Sequence, residues 1–198
     1  KRTPAQKAAA LTASLRVIGL LAKGGLYAYT DGASNGNPGH SGAGVCFAEA
    51  GSGLPDQSWA LGKSTNNTAE LFAIGAAVEA IRLARGAGRS PGARAFVLTD
   101  SDTNLSRLSK PASRGDDELL VRVRRAIARC RAQGPLGLIW VPGHVGVEGN
   151  ERADKCAGDG AIKSMRLGMA EPQGAPGGDG FLTPEHIGEL LTAARNAR

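Results

Sequence analysis

Apolar residues between positions 25 and 161 follow two patterns: short runs or alternation, typical of strands, and a three-to-four spacing, typical of helices. In chain order they predict a strand ending in Asp31, a strand through Val45 and Phe47, a strand near 58–62, a helix over 68–86, a strand over 95–99, a helix over 116–133, a strand over 136–144 and a helix over 150–161. This order indicates an α/β fold, with a five-stranded mixed sheet flanked by helices.

The chain on either side of this region has a different character. Residues 1–24 are basic and Ala-rich and predict either a helix or an unfolded arm, whereas 25–162 forms the predicted domain. Residues 163–198 contain the stretch EPQGAPGGDG, typical of a flexible linker, and then a short helix that Thr183 caps and Pro184 begins. Because the chain starts without Met, we expect it to belong to a longer polypeptide.

Composition narrows the class of protein. Hydrophobic residues make up 41% of the chain, which is enough for a core, and no apolar run is long enough to predict a membrane span. The cysteines, Cys46, Cys130 and Cys156, are far apart and lack the spacing of a zinc site. We therefore expect free thiols and an intracellular protein, without distinguishing nucleus from cytoplasm.

Charge is distributed unevenly along the chain. The net charge is +6, and residues 1–24 hold five basic residues and no acid, whereas residues 25–160 are nearly balanced. If four acids of the balanced segment surround metal ions, the remaining surface of that segment is basic. A basic surface around an acidic centre suits a polyanion that is cut with the help of metal ions.

Four acidic residues occupy positions from which they can meet. Asp31 and Asp100 close predicted strands, Glu70 lies in the first turn of its predicted helix, and Asp154 lies in the last predicted helix. Because ligands gather at strand ends in open α/β sheets, we expect the four carboxylates to converge. Carboxylates that converge repel one another unless cations offset their charge, and oxygen ligands favour Mg²⁺ or Mn²⁺. The sequence therefore predicts a two-metal site able to hydrolyse a phosphodiester.

Each acid also has an ordinary structural interpretation when it is taken alone. Asp31 before Gly32 is typical of a simple turn, and Glu70 suits the positive end of a helix dipole. Asp154, followed by Lys155, is typical of a solvated surface. It is the combination of the four acids that favours a metal site.

Four ordered blocks, YTDGASNGNPG, STNNTAEL, LTDS and WVPGHVGVEGNERAD, make residues 25–161 similar to the type 1 ribonuclease H family. The last block is the most specific, because His144 and Asp154 flank a loop at the family's spacing. The residues of this block resemble those of the ribonuclease H domains of non-LTR retrotransposon polyproteins. The resemblance implies a ribonuclease H-like fold and an endoribonuclease that hydrolyses the RNA strand of RNA–DNA hybrids by two-metal-ion catalysis, during reverse transcription of a retrotransposon.

The resemblance also implies a role for each matching acid. Asp31 would bridge two Mg²⁺ ions, for which Mn²⁺ can substitute, and Glu70 and Asp100 would share the ion at the scissile phosphate and leaving group. Asp154 would help to hold the ion that supplies the attacking water. His144 resembles the family's proton-shuttle or product-release histidine, although an isolated histidine after a Pro-Gly turn would be a surface residue.

Family contacts to the hybrid correspond to polar residues near the acids. Asn66 and Asn67 match positions that recognise 2′-hydroxyls across the minor groove, and Asn37 matches another minor-groove contact. Thr65 and Ser101 match positions that contact the DNA strand or its phosphates. The paired asparagines also fit helix capping, and Asn67 can serve both purposes.

The segment between Asp100 and His144 is too short for the basic protrusion that some cellular members of the family carry. A connection over residues 105–120 takes its place. Affinity for the hybrid is therefore expected to come from the basic residues 1–24 or from partner domains. The resemblance implies a reverse transcriptase domain of the same polyprotein as such a partner, and we expect a monomer without membrane association.

Two alternatives remain open. One is a catalytically weak hybrid-binding or structural module with the same fold, which the retention of all four acids and His144 disfavours. The other is a nuclease of this fold that acts on DNA, which the Asn66 and Asn67 block disfavours.

Overall fold

A five-stranded mixed sheet forms the centre of the protein in the computed structural model, which describes residues 3–21, 25–47, 54–88, 94–170 and 181–196. The strands are β1 (Leu26–Gly36), β2 (Gly39–Phe47), β3 (Gln57–Ser64), β4 (Ala95–Thr99) and β5 (Leu136–Trp140), in the spatial order β3-β2-β1-β4-β5. Strands β1, β2 and β3 pair antiparallel, and β4 and β5 continue the sheet in parallel from β1. The predicted α/β fold with a five-stranded mixed sheet is confirmed.

Among the described residues, six helices flank this sheet: α1 (Pro4–Leu21), α2 (Asn66–Gly86), α3 (Asp102–Ser109), α4 (Glu118–Arg131), α5 (Glu148–Arg166) and α6 (Pro184–Asn196). Alternate residues of β1 point to opposite faces, because side chains alternate along a strand. Leu26 and Ala28 join the main core with α2, α4 and α6. Tyr27 and Tyr29 join a second cluster with α5 and α1. The sheet is thus covered on both faces.

Strand β1 does not end at Asp31, as the sequence predicted, but continues to Gly36. Strand β2 pairs antiparallel with it as far as Gly36 opposite Gly39, so the ladder carries β1 past the carboxylate. The parallel pairing with β4 stops earlier, at Thr30. Asp31 therefore lies within a long strand, just where the sheet loses its β4 neighbour, and the simple-turn interpretation of Asp31 and Gly32 is wrong.

Helix α2 begins two residues earlier than predicted, at Asn66. Its N-cap is Thr65, whose hydroxyl accepts a hydrogen bond of 3.1 Å from the backbone N–H of Thr68. The interpretation of Asn67 as the cap of this helix is therefore wrong. Glu70 consequently lies in the second turn rather than the first.

Two further helices differ from the prediction. The short helix α3 was not predicted: it includes residues 105–109 of the expected connection, and Ser101 caps it. Helix α5 begins at Glu148 instead of residue 150, so Asp154 also lies in a second turn. The predicted helix over 116–133 is present as α4, which Asp117 caps through a hydrogen bond of 2.8 Å from the backbone N–H of Leu120.

Helix α6 packs into the main core rather than standing apart from it. The ring of Phe181 lies on α2 at Gly75, where a Cβ would come within 2.3 Å of the ring. The rings of His186 and Trp59 lie 4.5 Å apart, between α6 and β3. Thr183 accepts a hydrogen bond of 3.2 Å from the backbone N–H of His186, as expected for the predicted cap.

The segments outside the predicted domain are partly described. Of the two alternatives for residues 1–24, residues 4–21 form a helix, and α5 continues to Arg166, beyond the predicted border at 162. The predicted linker, EPQGAPGGDG, lies outside the described residues, and the division of the chain into three parts stays a prediction. The three cysteines are free thiols. None of the helices in the described part of the chain is long and apolar enough to cross a membrane.

Candidate active site and metal centre

Three of the predicted acids meet at one end of the β1–β4 pair. A carboxylate oxygen from each of Asp31, Glu70 and Asp100 lies within 4.8 Å of the other two. Asp31 comes from β1, Glu70 from α2, and Asp100 directly follows β4. Gly32 allows α2 to start this close to β1, because a Cβ at that position would lie 2.2 Å from the backbone nitrogen of Glu70.

A second group lies on α5 and the loop that precedes it. His144, Glu151 and Asp154 each offer a ligand atom within 4.8 Å of the others. His144 is exposed and has a φ of 54°, in the left-handed region that few residues other than glycine adopt. The charge of Asp154 raises the pKa of both Asp31 and Asp100, so the two groups are electrostatic neighbours.

The carboxyl group of Asp31 is strongly perturbed by its surroundings. Burial, to 6% exposure, is the main cause that raises its pKa to about 8, and the neighbouring charge of Asp100 adds to the effect. The backbone N–H of Gly32 donates a hydrogen bond of 2.7 Å to the carboxylate and lowers the pKa, while Asp154 and Glu70 raise it further. A positive charge nearby would therefore favour the ionised form of Asp31.

Burial also raises the pKa of Glu70, and three neutral donors oppose this effect. The Ser101 hydroxyl donates to Glu70 Oε2, as does Asn104 Nδ2 at 3.3 Å, and Asn66 Nδ2 donates to Oε1 at 2.8 Å. Asn104 is fully buried and also donates to the carbonyl of Asn67 at 2.9 Å. These bonds fix the orientation of Glu70 without neutralising its charge.

Asp100 lies beneath the loop that carries His144. Burial raises its pKa, and the Asn150 amide and the His144 ring are the strongest opposing influences. Asn150 is 1% exposed, and although its amide is near Asp100, neither its nitrogen nor its oxygen makes a hydrogen bond of ordinary geometry. Gly143 passes so close that a Cβ there would fall 2.1 Å from Asp100 Oδ2. The loop therefore covers this carboxylate, and Trp140 Nε1 donates to the Asp100 carbonyl at 3.2 Å.

The predicted substrate residues divide into two sets. One set lies along a polar edge and consists of Asn37, Thr65, Asn66 and Asn67. The backbone N–H of Asn66 donates a hydrogen bond of 3.2 Å to Asn37 Oδ1, and Thr65 caps helix α2, which carries Asn66 and Asn67. Asn37 and Asn67 are exposed and the other two half-buried. Ser101, in contrast, is only 5% exposed, and its hydroxyl donates a hydrogen bond to Glu70. Contact of all five with nucleic acid stays a prediction.

Four residues that the sequence did not single out belong to this site: Gly143, Asn104, Asn150 and Glu151. Asn150 and Glu151 lie inside the block that carries Asp154, so their position in that block was an available signal. Asn104 lies on α3, which was not predicted, and no sequence pattern points to it.

An α/β sheet with acids from β1, α2, the end of β4 and α5 at one edge defines a class of metal-dependent nucleases. Residues 23–162 of this chain match the RNase H family model. The protein called Ribonuclease H in Dinoroseobacter shibae is 33% identical over 153 residues, covering 68% of this chain and 90% of its own. The chain therefore belongs to the RNase H family.

Solved structures agree with this assignment. The RNase H1 of the archaeon Halobacterium salinarum is 28% identical with a TM-score of 0.54, and covers 71% of this chain and 99% of its own. LC11-RNase H1, solved in complex with an RNA/DNA hybrid, is 27% identical with a TM-score of 0.56 and the same coverage. The predicted family and the prediction of a ribonuclease H enzyme are confirmed. The narrower resemblance to retrotransposon domains stays a prediction.

Proposed function

We propose that this chain hydrolyses the RNA strand of RNA–DNA hybrids with the help of two divalent cations, Mg²⁺ or Mn²⁺. The observation that carries the proposal is the meeting of the buried or half-buried carboxylates of Asp31, Glu70 and Asp100 within 4.8 Å, with Asp154 and His144 beside them. The structure of LC11-RNase H1 with an RNA/DNA hybrid supports this choice of substrate.

The donor set fits hard divalent cations. All four acids offer oxygen, which Mg²⁺ and Mn²⁺ prefer, and burial together with mutual repulsion makes their shared negative charge costly without a cation. We assign Asp31 to both ions, Glu70 and Asp100 to one, and Asp154 to the other. When bound, the ions would supply charge that activates water and stabilises the leaving oxygen.

The chain's own residues would orient the acid Glu70 and move a proton during the reaction. Ser101 and Asn104 hold Glu70 in one orientation, so this carboxylate would be in place to bind an ion. His144 is exposed beside Asp154, where its imidazole can carry a proton to the leaving 3′-oxygen or assist product release.

Selectivity for a hybrid would come from the polar edge at the start of α2. Asn66 and Asn67 offer amide groups to 2′-hydroxyls of the RNA strand, and Asn37 stands next to them. Thr65 is assigned to the DNA strand. Ser101 is buried against Glu70, which supports a positioning role alongside the predicted phosphate contact.

We further propose a monomer that acts during reverse transcription of a retrotransposon, next to a reverse transcriptase domain. A monomer suffices because one chain supplies every assigned residue. The similarity of the WVPGHVGVEGNERAD block to retrotransposon ribonuclease H domains supports the retrotransposon setting. A reverse transcriptase upstream in the same reading frame would agree with this setting, whereas a short independent reading frame would contradict it. Light scattering during gel filtration measures the oligomeric state.

The activity is tested with an end-labelled RNA–DNA hybrid, the matching RNA duplex and single-stranded RNA, each with Mg²⁺, Mn²⁺ or EDTA. We expect cleavage of the hybrid alone, leaving 3′-hydroxyl and 5′-phosphate ends, and no cleavage in EDTA. Asp31→Asn should abolish cleavage and keep the circular dichroism spectrum.

Asp102→Asn is the matched control, because Asp102 is exposed and lies two residues after Asp100. It should cleave like the wild type. Wild-type protein that binds the hybrid without cutting it in either metal would favour the alternative of a catalytically weak binding module. Equal cleavage of the RNA duplex would contradict the assignment of Thr65 to the DNA strand, because an RNA duplex offers the same 2′-hydroxyls to Asn66 and Asn67 as a hybrid does.

A further inference from the structure

Helix α1 lies outside the residues that match the RNase H family, yet it packs on the sheet face that carries the catalytic loop. Ala10, Leu11 and Ile18 pack against the second apolar cluster, and Ser14, on the same face of the helix, is only 7% exposed. The other side of α1 is solvated, and Leu15 is 54% exposed. The helix therefore has one docked face.

The apolar cluster under α1 includes the anchors of the His144 loop, by which we mean residues 141–147. Val145 and Val147 are 8% and 2% exposed and belong to this cluster, whereas His144 between them and Val141 points to solvent. The packing of Val141, Val145 and Val147 thus fixes the position of the loop that carries His144.

The His144 loop has little regular structure of its own. His144 and Gly146 both have positive φ, 54° and 91°, which costs conformational energy at the histidine. Helix α5 receives no side-chain cap at Val147. Within the loop, Gly146 donates its backbone N–H to Glu151 Oε1 at 3.2 Å. A loop of this kind keeps one conformation only if its surroundings hold it.

Leu11 is the α1 side chain nearest to Gly146. Gly146 has no Cβ, but one built there would lie 3.8 Å from Leu11 Cδ2, so the leucine side chain lies close to the loop at this residue. Leu11 also packs against the apolar cluster that contains Val145 and Val147.

We propose that α1 is a positioning element of the catalytic site: Leu11 packs on the His144 loop and holds His144 beside Asp154 for turnover. This inference rests on the proposed role of His144. It assigns residues 4–21 a function different from the hybrid affinity that the basic composition suggested, because the docked face of the helix is apolar.

The test compares Leu11→Ser with Leu15→Ser, which makes the same change at an exposed position of the same helix. Steady-state cleavage of a hybrid is measured for each variant, alone and combined with His144→Ala. We expect Leu11→Ser to lower kcat roughly three- to tenfold, with KM unchanged, because a displaced loop would hold His144 away from Asp154. Leu15→Ser should have no effect, and Leu11→Ser should cost nothing further once His144 is Ala.

A second measurement does not depend on activity. The chain has three histidines, so the imidazole resonances of His144 can be followed by NMR with His40 and His186 as internal references. Leu11→Ser should shift or broaden the His144 signals alone, and Leu15→Ser should leave all three unchanged. If circular dichroism shows that Leu11→Ser unwinds α1, Leu11→Ala, which favours helix, replaces it.

Each outcome decides a different claim. If His144→Ala leaves turnover unchanged, the proposed role of His144 fails, and the NMR comparison alone then decides whether α1 positions the loop. If His144→Ala slows turnover but Leu11→Ser behaves like Leu15→Ser, the inference is wrong and the proposed function stands. An effect of Leu11→Ser that persists in the His144→Ala background, or that appears only in KM, also overturns it.

Discussion

Replacing Asp31 with Asn should make the metal-free protein more stable while it abolishes cleavage. The substitution removes a carboxyl group that burial and neighbouring acids make costly to ionise, and it keeps the shape of the side chain. The amide oxygen of Asn can still accept the hydrogen bond that Gly32 donates to Asp31 Oδ1 at 2.7 Å. Only the electrostatic part of the interaction is therefore changed.

The size of the effect follows from the pKa of Asp31, about 8 in the folded protein. At pH 7 a carboxyl group with this pKa costs about 4 kcal/mol relative to an unfolded pKa near 3.9. Relaxation of the half-buried acids and entry of water reduce this figure, so we expect Asp31→Asn to gain about 2 kcal/mol. For a chain of this length such a gain raises Tm by roughly 4–8 °C.

The pH dependence has a defined sign. Because the folded-state pKa lies above the unfolded one, the folded protein holds more protons between about pH 4 and pH 8. The free energy of unfolding of the wild type should therefore fall as pH rises through this window. Asp31→Asn should show a shallower fall, which does not vanish, because burial raises the pKa of Glu70 and Asp100 in the same direction.

Urea and thermal unfolding in EDTA at pH 5, 7 and 8 measure these differences, with Asp102→Asn as the exposed control. Addition of Mg²⁺ should stabilise the wild type more than Asp31→Asn, because the variant has lost a ligand. If Asp31→Asn in EDTA is no more stable than the wild type at pH 7 and 8, burial and the neighbouring acids do not make the Asp31 carboxylate costly, and the reasoning is refuted.

Two further substitutions test how the acids are held. Gly143→Ala should lower hybrid cleavage at least tenfold, since its Cβ would fall 2.1 Å from Asp100 Oδ2, whereas Gly158→Ala, with nothing within 4 Å, should keep activity and raise Tm slightly. Asn104→Ala should weaken Mg²⁺ binding, measured by calorimetry, by roughly tenfold because Glu70 loses one of its orienting donors; unchanged affinity would contradict that role.

The sequence was sufficient for elements whose pattern is local and apolar. Strand β4 and helix α4 were predicted nearly to their ends, because their buried side chains recur at the period of the element. Strand β1 was predicted too short, since residues 33–36 (ASNG) are small and polar and look like a turn. Their strand conformation depends on pairing with β2, a partner that the local pattern does not contain.

The site shows the same division. The four acids could be found because each lies in one of the four sequence blocks that resemble the type 1 ribonuclease H family. Helix α3 has one buried residue, Asn104, which is held by hydrogen bonds, so it leaves no apolar period to detect. The packing of Leu11 against the cluster that contains Val145 and Val147 joins positions far apart in the chain, and nothing in the intervening sequence indicates it.

The ring of Phe181 on Gly75 has a consequence for anyone who wishes to trim this protein. A fragment cut to the family-matched residues 23–162 would lose Phe181 together with α6, and it would bare a hollow on α2 shaped for an aromatic ring. Phe72, whose ring lies 5.4 Å from that of Phe181, would face water at the same place. Such a fragment should be prone to aggregate during expression even though its catalytic acids are intact, and a useful minimal enzyme should keep residues 181–196.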